Sequence, residues 1–229
     1  MNELVADTQH VLNYGHVRVV EHMGSDLSIV RNARVSYDAE WRTGEDAGKD
    51  EKLINYLWAN GHTSPFEAVT FTFEVKAPIF VFRQWHRHRT WAFNEISARY
   101  SELPEEFYIP EVDQITTQST SNKQMRTADL HPEAEGLREL LRRQCEGSFG
   151  LYREMLARGM PRELARSVLP LGTYSHMFGT VNLHNLFKFL RLRLHEHAQY
   201  EIRVYAQALL KLVKPLVPVA VEAFVKGER

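Results

Sequence analysis

Cysteine is almost missing from this chain. The single one, Cys145, excludes an internal disulfide framework and any metal site built from several thiolates. Charge of one sign is not in excess either: 28 Lys and Arg stand against 29 Asp and Glu, a formal net charge of -1. A dedicated nucleic-acid binder is usually basic overall, so no nucleic-acid partner is expected. No apolar run approaches the roughly 20 residues of a membrane span, and no membrane partner is expected. Met1 to His10 carries acids and lacks the apolar stretch of a secretory signal, which makes a cytoplasmic location the default expectation. A glycine-rich GxGxxG or phosphate loop is also lacking, so a dinucleotide cannot be held here by a Rossmann site. Neither an internal repeat nor a low-complexity linker marks a domain boundary, and residues 1–229 read as one domain.

What is present is an ordinary folded composition, 44% hydrophobic and 25% charged, long enough to bury a substantial core. Val17 to Glu21 predicts a short strand, and Asp26 an N-cap for a helix running towards Tyr37. Arg42 to Lys52 reads as a polar loop. The helix after it carries Leu53, Ile54, Leu57 and Trp58 on one face and ends near Gly61. Ser64-Pro65-Phe66-Glu67 has the chemistry of a helix start, with Ser64 capping and Glu67 completing a capping box. Phe71, Phe73 and Val75 alternate with polar residues, the period of a half-buried strand that Pro78 ends. Ile79 to Gln84 predicts a buried helix.

Thr116 to Thr127 reads as an exposed loop. Pro132 to Arg158 predicts a long helix with Leu137, Leu140, Leu141, Cys145, Tyr152 and Met155 on its inner side, stopped by Gly159 and followed by a short helix from Pro161. A last long helix is predicted from Asn182 to Val213. The fold class is therefore α+β: helix-rich, with a small antiparallel or mixed sheet.

The densest polar cluster is Arg83-Gln84-Trp85-His86-Arg87-His88-Arg89, followed by Asn94-Glu95-Ile96-Ser97-Ala98-Arg99-Tyr100. Arginine offers a planar fork of donors that matches phosphate. Aromatic neighbours can stack on a flat ring, so the cluster suits a ligand with both phosphate and heterocycle. A solvated basic patch has the same composition, and only the order of the residues goes further.

In that order, Arg87-His88-Arg89, five residues, then Glu95-Ile96-Ser97-Ala98-Arg99-Tyr100 resembles the defining motif of the flavin-dependent thymidylate synthases, Arg-His-Arg followed by Asn-Glu-x-Ser-x-Arg-Tyr. The likeness extends over Asp26 to Ser36, Gly61 to Glu67, Phe71 to Gln84, Tyr108 to Pro110, Pro161 to Leu171 and Thr180 to Glu201, and is weakest from Val112 to Glu133. It implies the thymidylate synthase-complementing protein fold and the reductive methylation of dUMP to dTMP, with FAD as cofactor and NADPH and 5,10-methylenetetrahydrofolate as co-substrates. It also implies a homotetramer with active sites at subunit interfaces. By the same resemblance, FAD would be held by His62, Ser64, Arg87, His88, Arg89, Glu95, Asn182, Leu183, His184 and Lys188. dUMP would be held by Gln84, Arg87, Glu95, Ile96, Ser97, Ala98, Arg99, Arg166 and Arg193, with Arg193 activating the uracil ring. The motif commonly has Ser where this chain has Ala92, and some relatives place Asn where this chain has Lys188; neither change removes a group the chemistry needs.

Other readings of the residues stand beside this one. Arg162 and Arg166 are four apart and share a helix face, suited to a phosphate or to surface ion pairs. In the last helix, Arg193 and His197 interrupt a second apolar line of Leu186, Phe189, Tyr200 and Val204. A buried guanidinium there needs an anionic or carbonyl partner, because an unpaired one costs roughly 3–5 kcal/mol; a structural Glu could serve, and so could the uracil carbonyls of a substrate. His86-x-His88 and His195-x-His197 point to nearly opposite sides of a helix, so neither chelates one ion easily and no metal is expected. Cys145 lies in line with Leu137, Leu141, Ser148 and Tyr152, the spacing of a packed hydrophobe rather than a nucleophile, and Ser97 reads as a substrate hydrogen-bond donor. A non-catalytic nucleic-acid module would reveal itself by salt-sensitive oligonucleotide binding, and a metal-dependent phosphohydrolase by loss of activity with chelator.

Overall fold

The computed structural model describes residues 7–227. Strands β1 (Gln9–Val11), β2 (Gly15–Met23), β3 (Thr70–Pro78), β4 (Ala92–Glu95) and β7 (Tyr174–Asn182) form a sheet in the order β1-β2-β3-β7-β4. Every pairing is antiparallel. β5 (Thr116–Gln118) and β6 (Arg126–Leu130) form a separate hairpin. Around these lie α1 (Asp26–Arg34), α2 (Ala47–Ala59), α3 (Ile79–Trp85), α4 (Ala134–Ala157), α5 (Arg162–Ala165), α6 (Leu183–Arg193), α7 (Tyr200–Val213) and α8 (Pro218–Gly227). The architecture is α+β, helix-rich, with a small antiparallel sheet. No helix among the described residues is long and apolar enough to cross a membrane.

The period of two along β3 buries Phe71, Phe73, Val75 and Ala77 on one face and leaves Thr72, Glu74 and Lys76 on the other. Val17 and Val19 of β2 and Met177 and Val181 of β7 join the buried face. Helices α6, α7 and α8 close over it with Leu186, Phe187, Phe189, Tyr205, Leu209 and Phe224. Gly179 of β7 makes a local accommodation: a Cβ there would meet the Trp91 ring at 3.2 Å. The missing side chain lets the Trp91 indole lie across the strand.

Several local predictions are corrected by this structure. Ser25, not Asp26, is the N-cap of α1, and its N–H donates to Ser28 Oγ at 3.1 Å. The α-helix ends at Arg34 and gives way to a 3₁₀ turn, Val35–Tyr37. Asp26 instead caps a helix distant in sequence: its carboxylate accepts the Val219 and Ala220 N–H groups of α8 at 2.9 and 3.0 Å. The polar stretch 42–52 is already helical from Ala47, because Asp46 accepts the Lys49 N–H at 3.1 Å. Ser64–Ala68 is one 3₁₀ turn with Thr63 at its N-cap and no side-chain cap, since the chain must enter β3 at once.

The loop expected at 116–127 is largely the hairpin, where β-branched threonines suit extended backbone and the Thr117 and Thr127 hydroxyls pair at 2.6 Å. On α4, Leu137, Leu140 and Leu141 face outwards; the buried side is Ala134, Cys145, Ser148, Phe149 and Tyr152. The predicted last helix is broken. α6 stops at Arg193 and α7 starts at Tyr200. In the break, His195 Nδ1 accepts the His197 N–H at 3.2 Å, a local bond that competes with helical pairing. Glu201 turns inward to Tyr108 and Arg126, both at 3.1 Å.

Replacing Asp26 by Ala strands two N–H groups at the start of α8. It is expected to lower stability by about 1–2 kcal/mol, read as a shift of the urea midpoint at constant slope. An unchanged midpoint would show that the carboxylate does not cap α8.

Candidate functional site

The site is built on the break between α6 and α7. Arg193, in the last turn of α6, is half-buried. Its Nε donates to His88 Nε2 at 3.0 Å and one terminal nitrogen, Nη2, donates to the Gln84 carbonyl at 3.1 Å. The residues alone ask for an anionic or carbonyl partner, and the Gln84 carbonyl is one. The structure supplies two neutral acceptors, and Nη1 makes no hydrogen bond among the described residues.

For His88 Nε2 to accept, the ring must be neutral with its proton on Nδ1. Its pKa is pushed down to about 4, first by burial and then by the neighbouring Arg193 charge. The ring meets Phe189 edge-on, centroids 4.7 Å apart. Beneath it, Trp85, Trp91 and Phe189 form an aromatic floor, with Trp85 and Phe189 centroids 4.8 Å apart and Trp91 stacked on Phe93. The order follows from local folding: Pro78 turns β3 into α3, α3 delivers Gln84, and the turn after it delivers Arg87, His88 and Arg89.

Arg87 and Arg89 are exposed and make no ion pair or side-chain hydrogen bond among the described residues. Gln84 binds Gln199 across the helix break through its side-chain amide. Gln199 carried no signal in the sequence, because only the broken helix brings it there.

The Glu95–Arg99 segment leaves β4 along the sheet edge. Ser175 Oγ donates to Glu95 Oε1 at 2.5 Å, and the Ile96 N–H donates to the His176 carbonyl at 2.8 Å. Ser97 Oγ accepts the Arg99 N–H at 3.3 Å, and Ala98 is buried. Glu163 joins this loop to the next element: its carboxylate lies 3.7 Å from Arg99 Nε, and its carbonyl accepts from Arg166 Nε at 3.3 Å. Arg162 pairs instead with Glu102 at 3.6 Å, so the two arginines read as one face of a helix part company at once on a single turn. Glu163 was missed, although its place three residues before Arg166 was a usable signal.

A third group surrounds the start of α6. Asn182 caps that helix, accepting the Asn185 N–H at 2.9 Å, and Leu183 is wholly buried in the core. His184 Nδ1 is buried without a hydrogen-bond partner, and its pKa is lowered by burial and then by Lys188. Lys188 is exposed one turn on. Ser64 is exposed at the start of the 3₁₀ segment that packs against α6, and His62, two residues before it, is exposed and edge-on to Tyr56. The structure thus gathers Gln84, His88 and Arg193 in direct contact, and Glu95 to Arg99 with Arg166 in a second group. No hydrogen bond or ion pair joins Arg166 to Arg193 among the described residues.

Comparison with known proteins agrees with the motif. Residues 18–219 match the family model described as thymidylate synthase complementing protein. The chain is 46% identical over 227 residues to the flavin-dependent thymidylate synthase of Ehrlichia ruminantium strain Gardel, covering 99% of this chain and 75% of that protein. It is 51% identical over 214 residues to the enzyme of the same name from Thermus thermophilus, covering 93% of this chain and 77% of that protein. It superposes on the crystal structure of a UMP/dUMP methylase, PolB, from Streptomyces cacaoi bound with 5-Br dUMP. The TM-score is 0.86 at 35% identity, over 96% of this chain and 99% of that chain.

A depressed His88 pKa has a defined sign in stability. The unfolded imidazole titrates near 6.5 and the folded one at about 4, so its contribution is full above the unfolded value. It is lost as pH falls from there towards 4. In histidine ring NMR, the His88 resonance is expected to titrate near 4; a midpoint near 6.5 would mean that burial beside Arg193 does not hold it neutral.

Proposed function

Because the chain belongs to the flavin-dependent thymidylate synthases, the thymidylate synthase complementing protein family, we propose that it converts dUMP to dTMP by reductive methylation. The proposed one-carbon donor is 5,10-methylenetetrahydrofolate and the proposed hydride source is FAD reduced by NADPH. The observation that carries this reading is the Arg193 guanidinium, held by His88 and Gln84, beside Arg87 and Arg89; Nη1 of Arg193 and both of those arginines have no partner among the described residues.

The residues fit a bound flavin nucleotide. Two exposed arginines without partners are suited to its phosphates, and a buried His184 Nδ1 without a partner is suited to a polar group. His62, Ser64, Arg87, His88, Arg89, Glu95, Asn182, Leu183, His184 and Lys188 are the proposed cofactor residues; Leu183 is wholly buried and its N–H donates to the Val69 carbonyl. The chemistry supplied by FAD is the hydride that completes the transferred carbon as a methyl group.

For dUMP, the proposed contacts are Gln84, Arg87, Glu95, Ile96, Ser97, Ala98, Arg99, Arg166 and Arg193. The free donors of Arg193 stabilise negative charge developing on a uracil carbonyl. Neutral partners leave the guanidinium charge undiminished for that task. A carboxylate in their place would neutralise it. Arg166 and Arg99, steered by Glu163, suit the substrate phosphate.

No protein nucleophile is invoked. Cys145 is 1% exposed, and burial followed by Glu146 pushes its thiol pKa up, away from the reactive thiolate. We further propose one domain, a cytoplasmic location, and a homotetramer whose active sites lie at subunit interfaces. The outward Leu137, Leu140 and Leu141 of α4 support the assembly.

Purified protein is expected to show the absorbance of an oxidised flavin and to release FAD on denaturation; a colourless preparation that FAD cannot reconstitute would sink the assignment. Arg193→Ala should cut dTMP formation by about a hundredfold to a thousandfold while keeping its flavin spectrum, with Arg193→Lys a partial rescue. Near-normal turnover in the alanine variant would remove Arg193 from the mechanism. Cys145→Ala should keep most of its activity at a packing cost of about 1 kcal/mol, and a trapped adduct of dUMP with Cys145 would overturn that expectation.

A further inference from the structure

The face of the sheet turned away from the core carries a second convergence of chemistry-bearing side chains. We propose that His16, Glu74 and His176 form a binding site for one divalent cation of the zinc class. The three residues come from three adjacent strands, β2, β3 and β7. Lys76 is the register partner of both His16 and His176, and Glu74 lies two residues along the same strand, hence on the same face. No sequence spacing reveals the set, because 160 positions, 16 to 176, separate its ends.

The convergence of three donor atoms suits a shared cation. Both imidazole Nε2 atoms converge on one carboxylate oxygen: His16 Nε2 is 3.2 Å and His176 Nε2 is 3.0 Å from Glu74 Oε1. All three atoms lie within 4.8 Å of one another. Ligands at 2.0–2.1 Å from a tetrahedral zinc are about 3.3 Å apart; His16 Nε2 is hydrogen-bonded to the carboxylate, whereas the buried His176 Nε2 has no hydrogen-bond partner among the described residues and is open to a cation. Each histidine then carries its proton on Nδ1 and offers Nε2 as ligand. Two imidazoles and one carboxylate form a donor set for zinc-like ions rather than for calcium or magnesium.

The surroundings favour occupancy. Arg18 holds the other oxygen of Glu74 through Nε and Nη2, which orients the carboxylate to offer Oε1 alone. The Lys76 ammonium is paired with Glu106 at 2.6 Å, so its charge is compensated. The three side chains are partly exposed and line a cavity of about 300 Å³ with Lys76, Glu106 and Tyr174, which gives an ion a way in and room for a fourth, water ligand.

The test uses the full flavin-loaded protein, stripped with chelator and dialysed against buffered free Zn²⁺. Wild type is expected to take up one zinc per chain. His16→Ala and His176→Ala should each bind about a hundredfold more weakly, since loss even of an outer partner costs 10–100-fold. His195→Ala, which breaks up the other close histidine pair, with centroids 4.8 Å apart, should bind as wild type does. Because a variant can fail for lack of folding, Co²⁺ added to wild type provides a second reading: it should broaden the His16 and His176 ring resonances first. No stoichiometric uptake by wild type, undiminished uptake by the His16→Ala/His176→Ala double variant, or first broadening at other histidines would each overturn the proposal.

Discussion

A guanidinium held half-buried by two neutral acceptors organises this molecule. Removing a cation from water costs several kcal/mol unless hydrogen bonds replace its hydration. Arg193 offsets that cost with the His88 ring nitrogen and the Gln84 carbonyl. The arrangement works only if His88 is uncharged, and burial against Phe189 beside a fixed positive charge keeps it so. One side chain thereby ties the end of α6 to the end of α3 and to the motif turn after it. α3 leaves β3 and α6 leaves β7, neighbouring strands of the same sheet. The register of two strands therefore sets where the motif meets Arg193.

The arginines divide by what they meet. Those with a structural role are matched to carboxylates: Arg34 to the buried Asp50 at 2.6 Å, Arg126 to the buried Glu201 at 3.1 Å, and Arg18 to Glu74. Arg87 and Arg89 of the motif are matched to nothing within the described chain, and Arg193 to groups without charge. Near-neutral net charge thus coexists with a local positive field suited to anionic ligands.

The elements with an uninterrupted period were legible from residues alone. β3, α3 and most of α4 stand where alternation, apolar spacing and Pro78 placed them, as does the second half of α2. The errors fell where two signals competed. The apolar stripe from Leu186 to Val204 continues through residues that do not continue the helix, because local bonding at His195 and the burial of Glu201 break it. Leu137, Leu140 and Leu141 have the spacing of a core face but look outward, since spacing tells which residues share a face and not which face is covered. β7 went unread because Gly179, which makes room for Trp91, interrupts its apolar alternation.

By itself, the sequence determined the class of fold, the run of the main elements and, through the ordered motif from Arg87 to Tyr100, the family to which the chain belongs. Such signals are complete within a few turns of chain, as caps, periods and motif spacing are local properties. Tertiary structure alone decided the partners. His88 and Gln84 were joined to Arg193, and Gln199 to Gln84, across separations of 105, 109 and 115 residues. Those pairings rest on which polar groups lose water together when the sheet and helices close, and that desolvation has no counterpart in the unfolded chain.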